Sequence, residues 1–158
     1  MVISCVASAA YCQIDTKSWM FGLSTNTSIT YSQITHISLF NNLSLKGGFF
    51  VDNLLLGITY SHVEFSDMYT STSRTTLGGY TRYYFLRNIF TGLSIGSTRE
   101  SYNSTYGYVN NYLAVQLEFG VALFISKGIA IEPSITFGSY YAAIGFSIGI
   151  SGYLNRKK

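Results

Sequence analysis

The chain has 158 residues, 47% of them hydrophobic and only 11% charged, with a net charge of +3. Soluble domains carry roughly 25% charged residues, so this composition leaves little to face water. No apolar run reaches the ~18 residues of a membrane helix, the small dispersed charge excludes a nucleic-acid surface, and Cys5 and Cys12, the only cysteines, exclude a disulfide framework or metal cage in the body of the chain.

Residues 1–13 are small, apolar and uncharged, and are expected to be the remnant of an export signal, with Ala7-Ser8-Ala9 as its cleavage site. Val2-Ile3-Ser4-Cys5 also resembles a lipoprotein attachment box. Residues 14–158 form one domain.

Eight segments follow, each apolar at every second residue, which is the period of a strand. They run over 17–27, 37–50, 54–64, 76–85, 89–99, 111–125, 129–138 and 142–154. Short connections at Val51-Asp52-Asn53, Leu86-Arg87-Asn88 and Ser126-Lys127-Gly128 carry residues that suit tight turns. The connections 28–36, 65–75 and 100–110 are longer and rich in Ser, Thr, Asn and Tyr; the last, around 139–141, is short. Pro133 lies inside a strand, removes a ladder hydrogen bond and predicts a bulge there. In the final segment Ile144, Phe146, Ile148 and Ile150 share one face, while Gly145, Ser147, Gly149, Ser151 and Tyr153 share the other.

The pattern predicts an all-β fold, an eight-stranded antiparallel transmembrane β-barrel. Short turns at one end, longer loops at the other and strands of about ten residues are its layout. Charge parity supports it. Lys46, Arg82, Glu118 and Glu132 fall well inside strands, all on the phase of Gly, Ser, Thr and Ala. A charge facing lipid at mid-membrane costs roughly 2–4 kcal/mol. A soluble barrel inverts these faces.

Three segments carry a more specific likeness: Gly47-Gly48-Phe49-Phe50-Val51-Asp52-Asn53-Leu54-Leu55-Leu56-Gly57, Leu77-Gly78-Gly79-Tyr80-Thr81-Arg82-Tyr83-Tyr84-Phe85 and Phe119-Gly120-Val121-Ala122-Leu123-Phe124-Ile125. They resemble recurring motifs of the outer membrane β-barrel proteins common in Bacteroidota, which are similar to the small OmpA-like and OmpX-like barrels. The resemblance covers residues 17–154 and implies location and architecture rather than chemistry. Many such barrels end in an aromatic residue read by the assembly machinery. This chain continues past Leu154 into Asn155-Arg156-Lys157-Lys158, and part of the signal survives as Gly145, Ile148 and Ile150.

The candidate site is the interior. Lys46 and Arg82 are expected opposite Glu118 and Glu132 near the short-turn end, where they neutralise one another and plug a narrow lumen. Aromatic girdles are expected from Trp19, Phe21, Phe49, Tyr83, Phe85 and Phe124 at that end and from Tyr31, Tyr60, Tyr102, Tyr112 and Tyr140 at the other. Tyr102, Tyr106 and Tyr108 form a loop able to recognise a surface ligand, since Tyr gives contact area at low entropy cost.

His36-Ile37-Ser38, with Glu64 on a neighbouring strand, resembles the His-x-Ser pair of the lipid A deacylases. A base beside a hydroxyl activates a nucleophile, but the flanking residues do not otherwise match that family. No catalytic, cofactor-binding or metal-ligating residue is assigned, and no cofactor is expected. The preferred reading is a monomeric, non-enzymatic integral protein of the bacterial outer membrane, with a structural or surface-interaction role, a plugged interior and no open pore. Its expected partners are outer-membrane lipid and the barrel assembly machinery, with no nucleic acid. A lipid A-modifying barrel hydrolase and a soluble lipid-binding barrel are the alternatives.

Overall fold

The computed structural model describes residues 18–31, 37–66, 71–85, 88–103, 107–138 and 144–154. The expected export-signal remnant, with Cys5 and Cys12, lies outside them. The strands are β1 (Trp19–Tyr31), β2 (Ile37–Val51), β3 (Leu54–Ser66), β4 (Ser71–Phe85), β5 (Ile89–Asn103), β6 (Tyr108–Val121), β7 (Leu123–Ser126), β8 (Ile129–Gly138) and β9 (Ile144–Leu154). Each pairs antiparallel with its neighbour in sequence, apart from β6 and β7, and β1 pairs with β9. Both β6 and β7 pair with β8, so the sheet closes, and these two are halves of one barrel strand. The eight-stranded antiparallel barrel expected from the sequence is the fold.

Pro133 sits differently from expectation. The register of β8 on β9 runs without a shift through Pro133↔Ile148, so β8 carries no bulge there. The irregularity is on the opposite strand. Pairing with β8 covers Gln116–Gly120 of β6, lapses, resumes at Leu123 of β7 and shifts between Phe124 and Ser126. Pro133 has no N–H to donate, and it falls in that gap. Ala122, between the two halves, donates its N–H to the Asn88 carbonyl at 2.7 Å.

The hairpins at the two ends also differ from a turns-and-loops picture. At the short end, Asp52 holds φ at 55°, a left-handed conformation that Asp tolerates better than most residues. At the other end, the expected long loops are mostly strand. The ladders reach Tyr31↔Ile37, Ser66↔Ser71 and Tyr102↔Tyr108.

Alternation sorts the side chains by face. Leu45, Ile58, Leu77, Leu113, Ile148 and Ile150 are exposed on the outside, part of a belt of large apolar residues. The interior holds a buried cluster of Met20, Phe50, Leu55, Tyr84, Phe90 and Tyr153, with Ala122 and Ala130. These residues stand at the short-turn ends of their strands, so the lumen is filled there.

Candidate functional site in the barrel interior

The lumen is layered from the short-turn end upward. Its floor is aromatic: Phe50 and Tyr84 have ring centroids 5.4 Å apart, Tyr84 and Phe90 5.4 Å, and Phe50 and Tyr153 5.9 Å. Tilted contacts at this spacing are the favoured geometry of aromatic pairs.

Directly above lies an ion-pair layer. Arg82 on β4 and Glu118 on β6 are separated in the sheet by Gly92 on β5. A Cβ at Gly92 stands 3.1 Å from Arg82 Cγ and 3.4 Å from Glu118 Oε2, so the missing side chain lets the guanidinium reach across. Arg82 Nε donates to Glu118 Oε2 at 3.1 Å, Nη2 to Glu118 Oε1 at 3.0 Å and Nη1 to Glu132 Oε2 at 2.7 Å. Lys46 Nζ donates to both oxygens of Glu118, at 3.1 and 3.2 Å. The Ser134 hydroxyl donates to Glu118 Oε1 at 2.9 Å, and the Tyr153 hydroxyl donates to Glu132 Oε1. The Arg82 guanidinium also stacks 4.2 Å from the Phe90 ring centroid, which ties this layer to the floor through a cation–π contact. Two cations meet two anions, and all four carboxylate oxygens are hydrogen-bonded. That is the condition under which buried charge is tolerated.

Above the ions the lumen widens into a chamber of about 180 Å³ lined largely by Ser, Thr and Gly, with Lys46 and Glu118 at its base and Arg74 and Tyr112 toward its mouth. It has room for on the order of six waters at ~30 Å³ each. Hydroxyl pairs stitch its wall: Ser24 with Ser44 at 2.6 Å and Thr76 with Thr98 at 2.8 Å. A second ion pair stands near the mouth, where Arg74 donates to Glu100 Oε1 from Nη2 at 2.6 Å and from Nε at 3.2 Å. The crevice beside the ion layer, between Gly22, Ser24, Gly149 and Ser151, has no water-sized space.

The four interior charges expected from the sequence are thus brought into one network. The tyrosines expected in a recognition loop are placed otherwise. Tyr102 and Tyr108 are opposite each other in β5 and β6, stacked at 4.3 Å and 17°; Tyr106 lies outside the described residues. Two expected girdle members differ: Tyr112 lines the chamber, and Phe124 packs 5.2 Å from Tyr153 against the buried cluster. Trp19, Phe21, Tyr60, Tyr83 and Phe85 are exposed on the outer face. The Tyr31 side chain and Tyr140 lie outside the described residues, as do His36 and the Ser38 side chain. Glu64 meets His62, with Oε1 3.3 Å from Nε2.

Sequence reasoning missed the aromatic floor and the Arg74–Glu100 pair. The floor had a signal. In Phe49-Phe50, Tyr83-Tyr84-Phe85 and Ile89-Phe90, large residues are consecutive, so one of each set must point inward. Arg74 and Glu100 fell in presumed loops, and only the extended ladder gives them a parity.

No protein-family model and no curated protein matches the chain by sequence. Solved structures do match. Neisserial surface protein A is similar at a TM-score of 0.65 and 8% identity, over 86% of this chain and 96% of that one. The attachment invasion locus protein Ail of Yersinia pestis is similar at 0.62 and 8%, over 88% and 99%. The N-terminal β-barrel domain of Pseudomonas aeruginosa OprF is similar at 0.58 and 12%, over 88% and 98%. At these identities the likeness is one of fold: the chain is built as these small eight-stranded barrels are.

Proposed function

We propose that the protein is an integral barrel of the bacterial outer membrane, closed to permeation, with a structural or surface-interaction role and no catalysis. One observation carries this reading: the outer face is a belt of exposed apolar side chains, while four ionised groups are paired inside. Apolar outside and polar inside is the membrane-barrel arrangement. In water the belt would be a large sticky surface, which counts against a soluble lipid-binding barrel. The ion layer and the aromatic floor together support a plugged lumen. The similar folds of Neisserial surface protein A, Ail and OprF, which are outer-membrane barrels, support the location, and the turn and strand motifs support a Bacteroidota-type barrel.

Surface interaction falls to the hairpins at the mouth, where Tyr108 is exposed above the Arg74–Glu100 pair. The role proposed here is that of a monomer held in outer-membrane lipid after insertion by the barrel assembly machinery. Detergent-refolded protein is expected to shift mobility on a gel only after boiling, and to give no stepwise conductance in planar bilayers. Monomeric behaviour in plain buffer with no heat shift refutes the membrane reading, and open-channel steps refute the closed lumen.

A further inference from the structure

We propose that the outer wall of the barrel carries a lipid site, in which an acyl chain packs against Gly47 and a zwitterionic phospholipid head lies between Glu64 and Arg99. The inference rests on the membrane reading above and deepens it.

The tail end of the site is a groove. One outward row pairs Phe21↔Gly47↔Ile58↔Gly79 across β1 to β4. Gly47 has no side chain, while Phe21, Leu45 and Ile58 around it have large ones. The result is a depression of about 570 Å³ between Phe21, Leu23, Leu45, Ile58, Tyr60 and Leu77. Lys46 and Thr59 also border it, but their side chains face the lumen, where they line the chamber. The ladders on both sides of Gly47 are complete, so no added strand has backbone groups to pair with. A hydrocarbon chain matches such a wall. In lipid the drive is not hydrophobic, because tails are as apolar as leucine. It is the dispersion contact recovered by filling a void.

Dispersion alone retains any tail weakly, and the head supplies the second observation. Tyr60, His62 and Glu64 alternate up the same outward face of β3, placing His62 roughly 13 Å along the strand from Ile58. His62 Nδ1 is 2.9 Å from Thr75 Oγ1, and Nε2 is 3.3 Å from Glu64 Oε1. Thr75 pairs in turn with Arg99 on β5. The Glu64 side chain is 75% exposed, and Arg99 is exposed as well. An anion and a cation therefore stand two strands apart at the upper edge of the apolar belt. That pair complements a head with an ammonium for Glu64 and a phosphate for Arg99.

The test is native mass spectrometry of refolded, delipidated barrel with phosphatidylethanolamine, phosphatidylglycerol or diacylglycerol added singly. One phosphatidylethanolamine adduct per barrel is expected, with less phosphatidylglycerol and least diacylglycerol. Gly47→Leu is expected to abolish the adduct. The nearest atom to a Cβ there is 3.7 Å away on the Phe21 ring, so no backbone obstructs the added side chain, and heat-modifiable migration checks that the variant folds. Arg99→Gln is expected to lower both phosphate-bearing lipids toward diacylglycerol, and Glu64→Gln to erase the preference for phosphatidylethanolamine over phosphatidylglycerol. The single tryptophan, Trp19, pairs with Phe49 two residues from Gly47. Its quenching by mid-chain-brominated phosphatidylethanolamine is expected to fall in Gly47→Leu. An adduct indifferent to Gly47→Leu, equal adducts with all three lipids, or a barrel dimer that Gly47→Leu dissolves each overturns the proposal. Heat-modifiable migration of the same samples keeps the membrane reading separate, since it survives loss of the adduct.

Discussion

Replacing Arg82 by methionine removes the cation that joins both carboxylates of the ion layer. The guanidinium is 2% exposed and makes three hydrogen bonds, two to Glu118 and one to Glu132. After the change Glu118 keeps Lys46 at 3.1 Å, while Glu132 keeps only the Tyr153 hydroxyl. The layer goes from neutral to one net buried negative charge. A unit pair at ~4 Å is worth about 4 kcal/mol at an effective dielectric of ~20, and removing one partner of a buried pair costs about 3–5 kcal/mol. Arg82→Met is therefore expected to lose about 3–5 kcal/mol. Adding Glu132→Gln leaves the neutral Lys46–Glu118 pair and is expected to recover at least about 2 kcal/mol, a non-additive coupling typical of groups in one network. The assay is urea unfolding in lipid vesicles, followed by Trp19 fluorescence and by gel mobility in parallel. A loss under about 1 kcal/mol for Arg82→Met, the value of a solvent-exposed pair, refutes the reasoning. So does a double variant no more stable than the single one.

Three further outcomes test the face assignment and the backbone. Ile58, 69% exposed on the outer wall, is expected to cost about 2–4 kcal/mol as Ile58→Arg in vesicles; a soluble barrel predicts no loss, and urea midpoints decide. Gly57→Ala is expected to destabilise by about 1–3 kcal/mol through overpacking, because its Cβ falls 2.6 Å from the Tyr80 ring and 2.8 Å from the Gly48 Cα. Gly79→Ala on the outer face, where the nearest atom is 3.8 Å away, is expected to be neutral in the same melts; equal losses for the two glycines contradict the assignment of inner and outer faces. Asp52→Val is expected to cost about 1–2 kcal/mol, since a β-branched residue resists the φ of 55° held there, and unchanged stability means the turn is not built this way.

Period-two alternation made the strands legible, and with them the face of the strand charges. Lys46, Arg82, Glu118 and Glu132 were assigned to the interior from parity alone, because a strand sends successive side chains to opposite sides wherever it sits. Parity does not say how high along the barrel a residue stands, or which residues it meets across the lumen. Those follow from register and closure. Register sets Gly92 between Arg82 and Glu118, closure brings Glu132 on β8 to Arg82 on β4, and neither is a local property of sequence. The same reason explains the misplaced residues. Tyr102, Tyr108, Arg74 and Glu100 looked like loop residues because polar hairpins and loops share a composition, and only the paired partner strand distinguishes them. Pro133 signalled a disruption correctly, but the gap was taken up by the facing strand, between Val121 and Leu123. What the sequence determined by itself was an all-β chain with one face for lipid and one for charge. The tertiary structure alone decided that the charges form one satisfied layer over an aromatic floor, because contacts across a lumen are made by residues far apart in the chain.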